Sequence, residues 1–250
     1  MSAKVYAFAN QKGGVGKTTT AINLAACLAE AGERSLVVDL DPQANATSGL
    51  GMRANGSSSY DLLDGAPLAD LAKPTQFANL FLVPSKPELA GAAVELSQRD
   101  DGDRYLAQAL DDADGFDFVL LDCPPSLGPL TVNALAAADR VVVPVQAEYY
   151  ALEGLAQLVQ SINLIKTRLN PRLEIAGVLL TMADGRTRLS ADVEAEVRRH
   201  FGDLVFRSVI PRSVRVAEAP SHGVPVTHYD RRSRGAEAYW KVAMELVERR

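Results

Sequence analysis

Short, almost wholly apolar runs alternate along this chain with longer stretches of helical pattern. The runs are KVYAFA (4–9), SLVVDLD (35–41), FLVPS (81–85), FDFVLLDCPPS (116–126), RVVVPVQ (140–146), LEIAGVLLTM (173–182) and LVFRSVI (204–210). Runs this continuously apolar are strands buried on both faces. Helical patterns fill the gaps, notably 18–32, 151–169, 190–201 and 235–249. In the first of these, Ile22, Ala25, Ala26 and Ala29 share a face and Gly32 stops the helix. Strands joined through helices run parallel, and the crossovers cover the sheet on both sides. The expected fold is α/β, a doubly wound and mainly parallel sheet with helices on both faces. No repeat or linker divides the chain, and the one low-complexity patch, NGSSS (55–59), reads as a loop, so a single domain over 1–250 is expected. Ligands of such sheets bind at the carboxyl ends of the strands.

The first strand runs into NQKGGVGKTTT (10–20), which opens a helix. This nearly fits the phosphate-binding loop G-x-x-x-x-G-K-[ST], with Gln11 in place of the first glycine and an extra lysine, Lys12, after it. Gly13, Gly14, Val15 and Gly16 let backbone N–H groups curl round a phosphate, and the helix N-terminus adds its positive dipole end. Lys17 then reaches the β- and γ-phosphates, and the Thr18 hydroxyl holds Mg²⁺. The sheet is thus of the P-loop NTPase type. Asp122 ends the apolar strand FVLLD, the pattern of the acid that anchors Mg²⁺. Asp39 and Asp41 are spaced so that both point to one side of a strand. One can support Mg²⁺ while the other orients water for attack on the γ-phosphate. Lys12 is either a plain surface lysine or, if two copies meet face to face, a cation entering the partner's site as a trans-acting arginine finger does.

The charge of −5 at pH 7 argues by itself against nucleic acid, but it is unevenly spread. Residues 1–185 hold 13 Lys and Arg against 22 Asp and Glu, net −9; residues 186–250 hold 13 against 9, net +4. That asymmetry marks either a local anion-binding face or chance and solvated helix faces. The two cysteines, Cys27 and Cys123, lie in no C-x-x-C pair, so neither a metal cluster nor a disulfide framework is expected. The N-terminal MSAKVYAFAN lacks the pattern of a signal peptide, and no run is long enough to span a bilayer, so a cytoplasmic location is expected. The histidines, His200, His222 and His228, have no ligand spacing.

Lys12 to Thr19, KGGVGKTT, resembles the deviant Walker A motif of the ParA/MinD ATPases. DLDPQANATSGLG (39–51), LLDCPPSLG (120–128), PVQAEYYALEG (144–154) and IPRSVRVAEAPSHG (210–223) resemble the Soj-like chromosomal ParA branch. The resemblance implies ATP and Mg²⁺ as cofactors and an ATP-dependent homodimer holding two nucleotides at its interface. Lys12 corresponds to the lysine that reaches the partner's ATP, and Asp41 to the hydrolysis residue. Gly13 matches the glycine that stays small for dimer closure, and Glu148 an acid near the partner's nucleotide. Met182, Pro211 and Arg212 match the adenine pocket, and Thr19 belongs to the loop. Arg186 and Arg215 match arginines that contact DNA. The implied function is chromosome or plasmid partition on nonspecific double-stranded DNA in the nucleoid, with hydrolysis stimulated by a ParB-type centromere-binding protein.

A MinD-like membrane ATPase is the alternative. Its branch carries a C-terminal amphipathic helix, whereas YWKVAMELVERR sets Tyr239, Ala243, Leu246 and Val247 on one face with Glu245 and Glu248 opposite. That pattern reads as a helix docked on a core, and no membrane binding is expected. No helix-turn-helix pattern precedes the loop in this sequence, so operon repression is not expected.

Overall fold

The computed structural model describes residues 3–111, 113–148 and 151–249. Its strands are β1 (Lys4–Phe8), β2 (Ser35–Asp39), β3 (Lys73–Pro74), β4 (Leu80–Val83), β5 (Phe118–Asp122), β6 (Arg140–Gln146) and β7 (Glu174–Thr181). They form one sheet in the order β3-β4-β2-β5-β1-β6-β7, parallel at every pair except β3–β4. Successive side chains feed opposite faces, as strand geometry requires. Val5, Ala7, Val119 and Leu121 pack on one side with the helices spanning 89–98, 129–137 and 151–168. Tyr6, Phe8, Phe118 and Leu120 pack on the other with the helices Lys17–Glu30 and Arg234–Glu248. From β1 the chain leaves for β2 on one side, and from β5 it leaves for β6 on the other. The β1–β5 boundary is therefore a switch point, where a crevice opens at the carboxyl ends.

The helix after β1 is not the one-faced helix its alanine spacing suggests. Every residue from Thr20 to Ala29 is buried, because the helix lies between the sheet and the C-terminal helix. Small residues allow that close packing on all sides.

The run 204–210 is not a strand. Only isolated bridges form, Val178 with Val205 and Ala183 with Pro211. The Phe206 and Ile210 N–H groups still donate to the Val178 and Leu180 carbonyls at 3.0 and 2.9 Å, but side chains take groups beside and between them. Arg249 donates to the carbonyls of Ala176 at 3.0 Å and Val205 at 3.0 Å, while the Arg207 and Ser208 N–H groups donate to Glu245 at 2.7 and 2.8 Å. The same contacts overturn the expected polar placement of Glu245, which is buried as an acceptor for two backbone donors. Val247 is exposed and Val242 takes the core position. The run 116–126 stops as a strand at Asp122, ahead of Pro124 and Pro125. Among the described residues no helix is long and apolar enough to cross a membrane.

Candidate nucleotide site

Strand register brings the site together. Phe8 stands beside Asp122, and Asp122 beside Asp39, so the loop after β1 and both acids reach the same edge of the sheet. The loop is pinned at three points. Asn10 Nδ2 donates to the Pro144 carbonyl at 2.8 Å, the Lys12 N–H donates to Asn10 Oδ1 at 3.0 Å, and Thr181 Oγ1 donates to the Val15 carbonyl at 2.8 Å. Gly14 (φ 73°) and Gly16 (φ 88°) are left-handed, which exposes successive N–H groups and requires glycine. Gly13 needs no such freedom: a Cβ there meets nothing nearer than Pro125 Cβ, at 3.8 Å.

Lys17 lies under the loop, buried, with Nζ donating to the Lys12 carbonyl at 3.2 Å. Burial lowers its pKa, and the attraction of Asp122 offsets part of that fall. Asp122 is fully buried, and neither carboxylate oxygen has a full hydrogen bond. Burial first, then the neighbouring Asp39, push its pKa well up, while the Thr18 hydroxyl and Lys17 hold it back. An orphaned buried carboxylate beside a phosphate cradle fits a hard cation, which phosphate oxygens and water would complete.

Asp39 and Asp41 do not share one side of a strand. β2 ends at Asp39, and the chain turns through Pro42 and a left-handed Ala44 (φ 53°). Asp39 Oδ1 accepts from the Asp41 N–H at 3.1 Å, and Oδ2 from Thr47 N and Oγ1 at 2.8 and 2.7 Å. Burial raises the Asp39 carboxyl to about 6 despite those bonds. Asp41 instead lines a cavity of about 400 Å³ with Gly13, Gly14, Gly16, Lys17 and Thr18. Its Oδ1 accepts from the Gln43 N–H at 2.9 Å. A second cavity of about 690 Å³ adjoins the first at Gly16, Thr19 and Met182, and brings in Pro211 and Arg212. Met182 is left-handed (φ 51°), and the Arg212 N–H donates to the Ala183 carbonyl at 2.9 Å.

Lys12 does not line its own cavity. Its Nζ forms an ion pair with Glu148 at 2.8 Å, with both side chains about half exposed. Arg186 makes two bonds to Asp184, at 2.9 and 2.8 Å, and holds that carboxyl down at about 2. Arg215 pairs with Glu218 at 3.1 Å and Asp230 at 3.4 Å. Neither arginine reaches the nucleotide cavities. Sequence reasoning missed Thr47 and Asn23. Asn23 Oδ1 accepts from the Val226 N–H and Nδ2 donates to the Thr19 carbonyl, both at 2.7 Å, tying the helix to the segment behind the cavity. Asn23 carried a signal, a lone polar residue among apolar ones in the opening helix; Thr47, between polar Asn45 and Ser48, carried none.

Phosphate-loop geometry at the switch point of a parallel sheet defines a P-loop nucleotide-binding protein. A family model described as AAA domain matches residues 3–175. The chain is 57% identical over 243 residues to the chromosome-partitioning ATPase Soj of Thermus thermophilus, covering 97% of this chain and 95% of that protein. It is 52% identical over 248 residues to the sporulation initiation inhibitor protein Soj of Bacillus subtilis, covering 98% of each. Among solved structures, cobyrinic acid a,c-diamide synthase of Mycobacterium smegmatis, with bound ATP analogue and magnesium, superposes with a TM-score of 0.86 at 38% identity, covering 98% and 95% of the two chains. The chain belongs to the ParA/Soj family.

Proposed function

We propose that this protein is a partitioning ATPase, one P-loop unit over residues 1–250, that closes into a homodimer around ATP and carries nonspecific double-stranded DNA. The observation that carries this reading is the division between its two lysines. Lys17 is buried under its own phosphate loop, while Lys12 lies outside the cavity it follows in sequence. A cation so placed serves a phosphate other than its own chain's. The open space around Gly13 agrees, since nothing in this chain requires a glycine there.

Within the site, backbone N–H groups of residues 13–16 and the Lys17 ammonium bind the phosphates. Thr18 and Asp122 would hold magnesium, with Asp39 behind Asp122; the ion would supply neutralisation of phosphate charge. Asp41 orients the attacking water. Lys12 from the partner meets charge developing on the transferred group, and Glu148 stands near the same interface. Met182, Pro211 and Arg212 enclose the base.

Arg186 and Arg215 lie in the net-positive segment 186–250, and dimerisation doubles that surface. Contacts to phosphate make binding sequence-independent and salt-sensitive. DNA binding confines the protein to the nucleoid while ATP lasts, and a ParB-type partner completes the hydrolytic site and releases the dimer from DNA. The test is duplex DNA binding by the Asp41→Ala variant with ATP and with ADP across a salt series. The expected result is binding with ATP alone, its logarithm falling by about 0.9 per phosphate contact for each log unit of salt. Equal absence of binding with either nucleotide at low salt overturns the reading.

A further inference from the structure

Thr47 is 2% exposed, lies eight residues beyond Asp39 and never touches the nucleotide cavity, yet its hydroxyl is fully used. Oγ1 donates to Asp39 Oδ2 at 2.7 Å and accepts from the Ser85 N–H at 2.9 Å. The Thr47 N–H adds a second bond to the same carboxylate oxygen at 2.8 Å. The other oxygen of Asp39 accepts from the N–H of Asp41 at 3.1 Å. A continuous chain of hydrogen bonds therefore runs from the end of β4, through Thr47 and Asp39, to the backbone of the cavity-lining acid. The Asp41 carbonyl in turn accepts from the Ala44 N–H at 2.9 Å, closing the turn that carries it.

We propose that Thr47 is a positioning residue for ATP hydrolysis, which through Asp39 fixes the height of Asp41 over the phosphate site. This rests on the reading of Asp41 as the residue that orients water. The reasoning is geometric. Asp41 stands past the end of β2, so no ladder hydrogen bond holds its side chain in register. Its side chain accepts from the Gln43 N–H, and its own backbone N–H is anchored on the Asp39 carboxylate, which needs donors of its own to stay in one rotamer. Thr47 supplies two of them and ties the arrangement to β4. Thr47→Val keeps the shape and the backbone donor, but removes the hydroxyl bond to Asp39 and strands the buried Ser85 N–H. The loop then shifts or gains a second conformation. Small displacements of a water-orienting group act on the chemical step and leave phosphate binding by the loop at 13–18 alone.

The experiment compares full-length wild type, Asp41→Ala, Thr47→Val and Thr47→Ser for ATP affinity by equilibrium binding and for kcat and KM of hydrolysis with magnesium and saturating duplex DNA. Expected for Thr47→Val is a fall in kcat of about ten- to a hundredfold with ATP affinity changed less than about threefold. Thr47→Ser, which restores the hydroxyl, should recover kcat to within about threefold of wild type. Thermal melts establish that each variant folds; if Thr47→Val does not, Thr47→Ala, which leaves room for water beside Asp39, carries the same expectation. Wild-type kcat in the valine variant overturns the inference while Asp41→Ala stays inactive. So does a serine variant as slow as the valine variant, or a loss that lies wholly in ATP affinity. Normal hydrolysis by Asp41→Ala overturns the reading of Asp41 itself, and the role of Thr47 with it.

Discussion

Replacing Glu148 with Gln tests whether Lys12 is held back in the single chain. The Lys12–Glu148 pair is short, 2.8 Å, but the side chains are 54% and 48% exposed, so its worth is that of a surface pair. Such pairs contribute about 0.2–1 kcal/mol. If Lys12 crosses to the partner's phosphate, each copy gives up one pair on dimerisation, and a symmetric dimer gives up two. Removing the acid should then favour the dimer by about 0.4–2 kcal/mol, a two- to thirtyfold tighter dimer constant at low salt. The gain should shrink as salt rises, because exposed pairs are screened. Sedimentation equilibrium with ATP in an Asp41→Ala background reads the constant directly, since the nucleotide persists. A Glu148→Gln dimer that is unchanged or weaker refutes the reasoning. It would mean that Glu148, once released, makes an equal or better contact across the interface.

Three further outcomes are expected. Gly13→Ala should fold and bind ATP as a monomer, because a Cβ there has room in its own chain and obstructs only a facing copy; light scattering with ATP reads this, and a stable dimer refutes it. Asp122→Asn should weaken magnesium-dependent ATP binding while costing the nucleotide-free protein little stability, since burial already favours the neutral form of that carboxyl; ATP titrations with and without magnesium, beside a thermal melt, read this. For Glu245, burial raises the carboxyl, but the bonds from Ser208 and Arg207 outweigh it and the net pKa lies below the ordinary 4.5. A depressed acid stabilises the fold above its unfolded pKa and loses that contribution as pH falls through the folded value. Urea unfolding from pH 6 downward should show this acid loss in wild type, beginning near the ordinary value of about 4.5, and less of it in Glu245→Gln.

The parallel sheet was legible because β-branched apolar runs between helical segments have few other solutions, and five of the strands fall within about two residues of those runs. The phosphate loop was legible because Gly14 and Gly16 are chemically irreplaceable at positive φ. What periodicity could not carry was competition for backbone groups. At 204–210 the residue pattern is that of a strand, yet Arg249 takes the Val205 carbonyl and Glu245 the Arg207 and Ser208 N–H groups. Spacing set Asp39 and Asp41 alike, but the turn after Asp39 sends one to Thr47 and the other to the cavity. The Lys12–Glu148 pair joins residues 136 positions apart, a distance over which local pattern is silent.

The helix behind the phosphate loop is enclosed on every side from Thr20 to Ala29, whereas residues 11–14 at the loop's lip are exposed. A protein of this build has a fixed floor and a soft rim. Amides in the floor exchange with solvent only when the whole chain opens, while those of the rim open locally. A change brought by nucleotide is therefore expected at the lip, in residues 11–14 that carry Lys12, and the floor's contribution is to stay still beneath them.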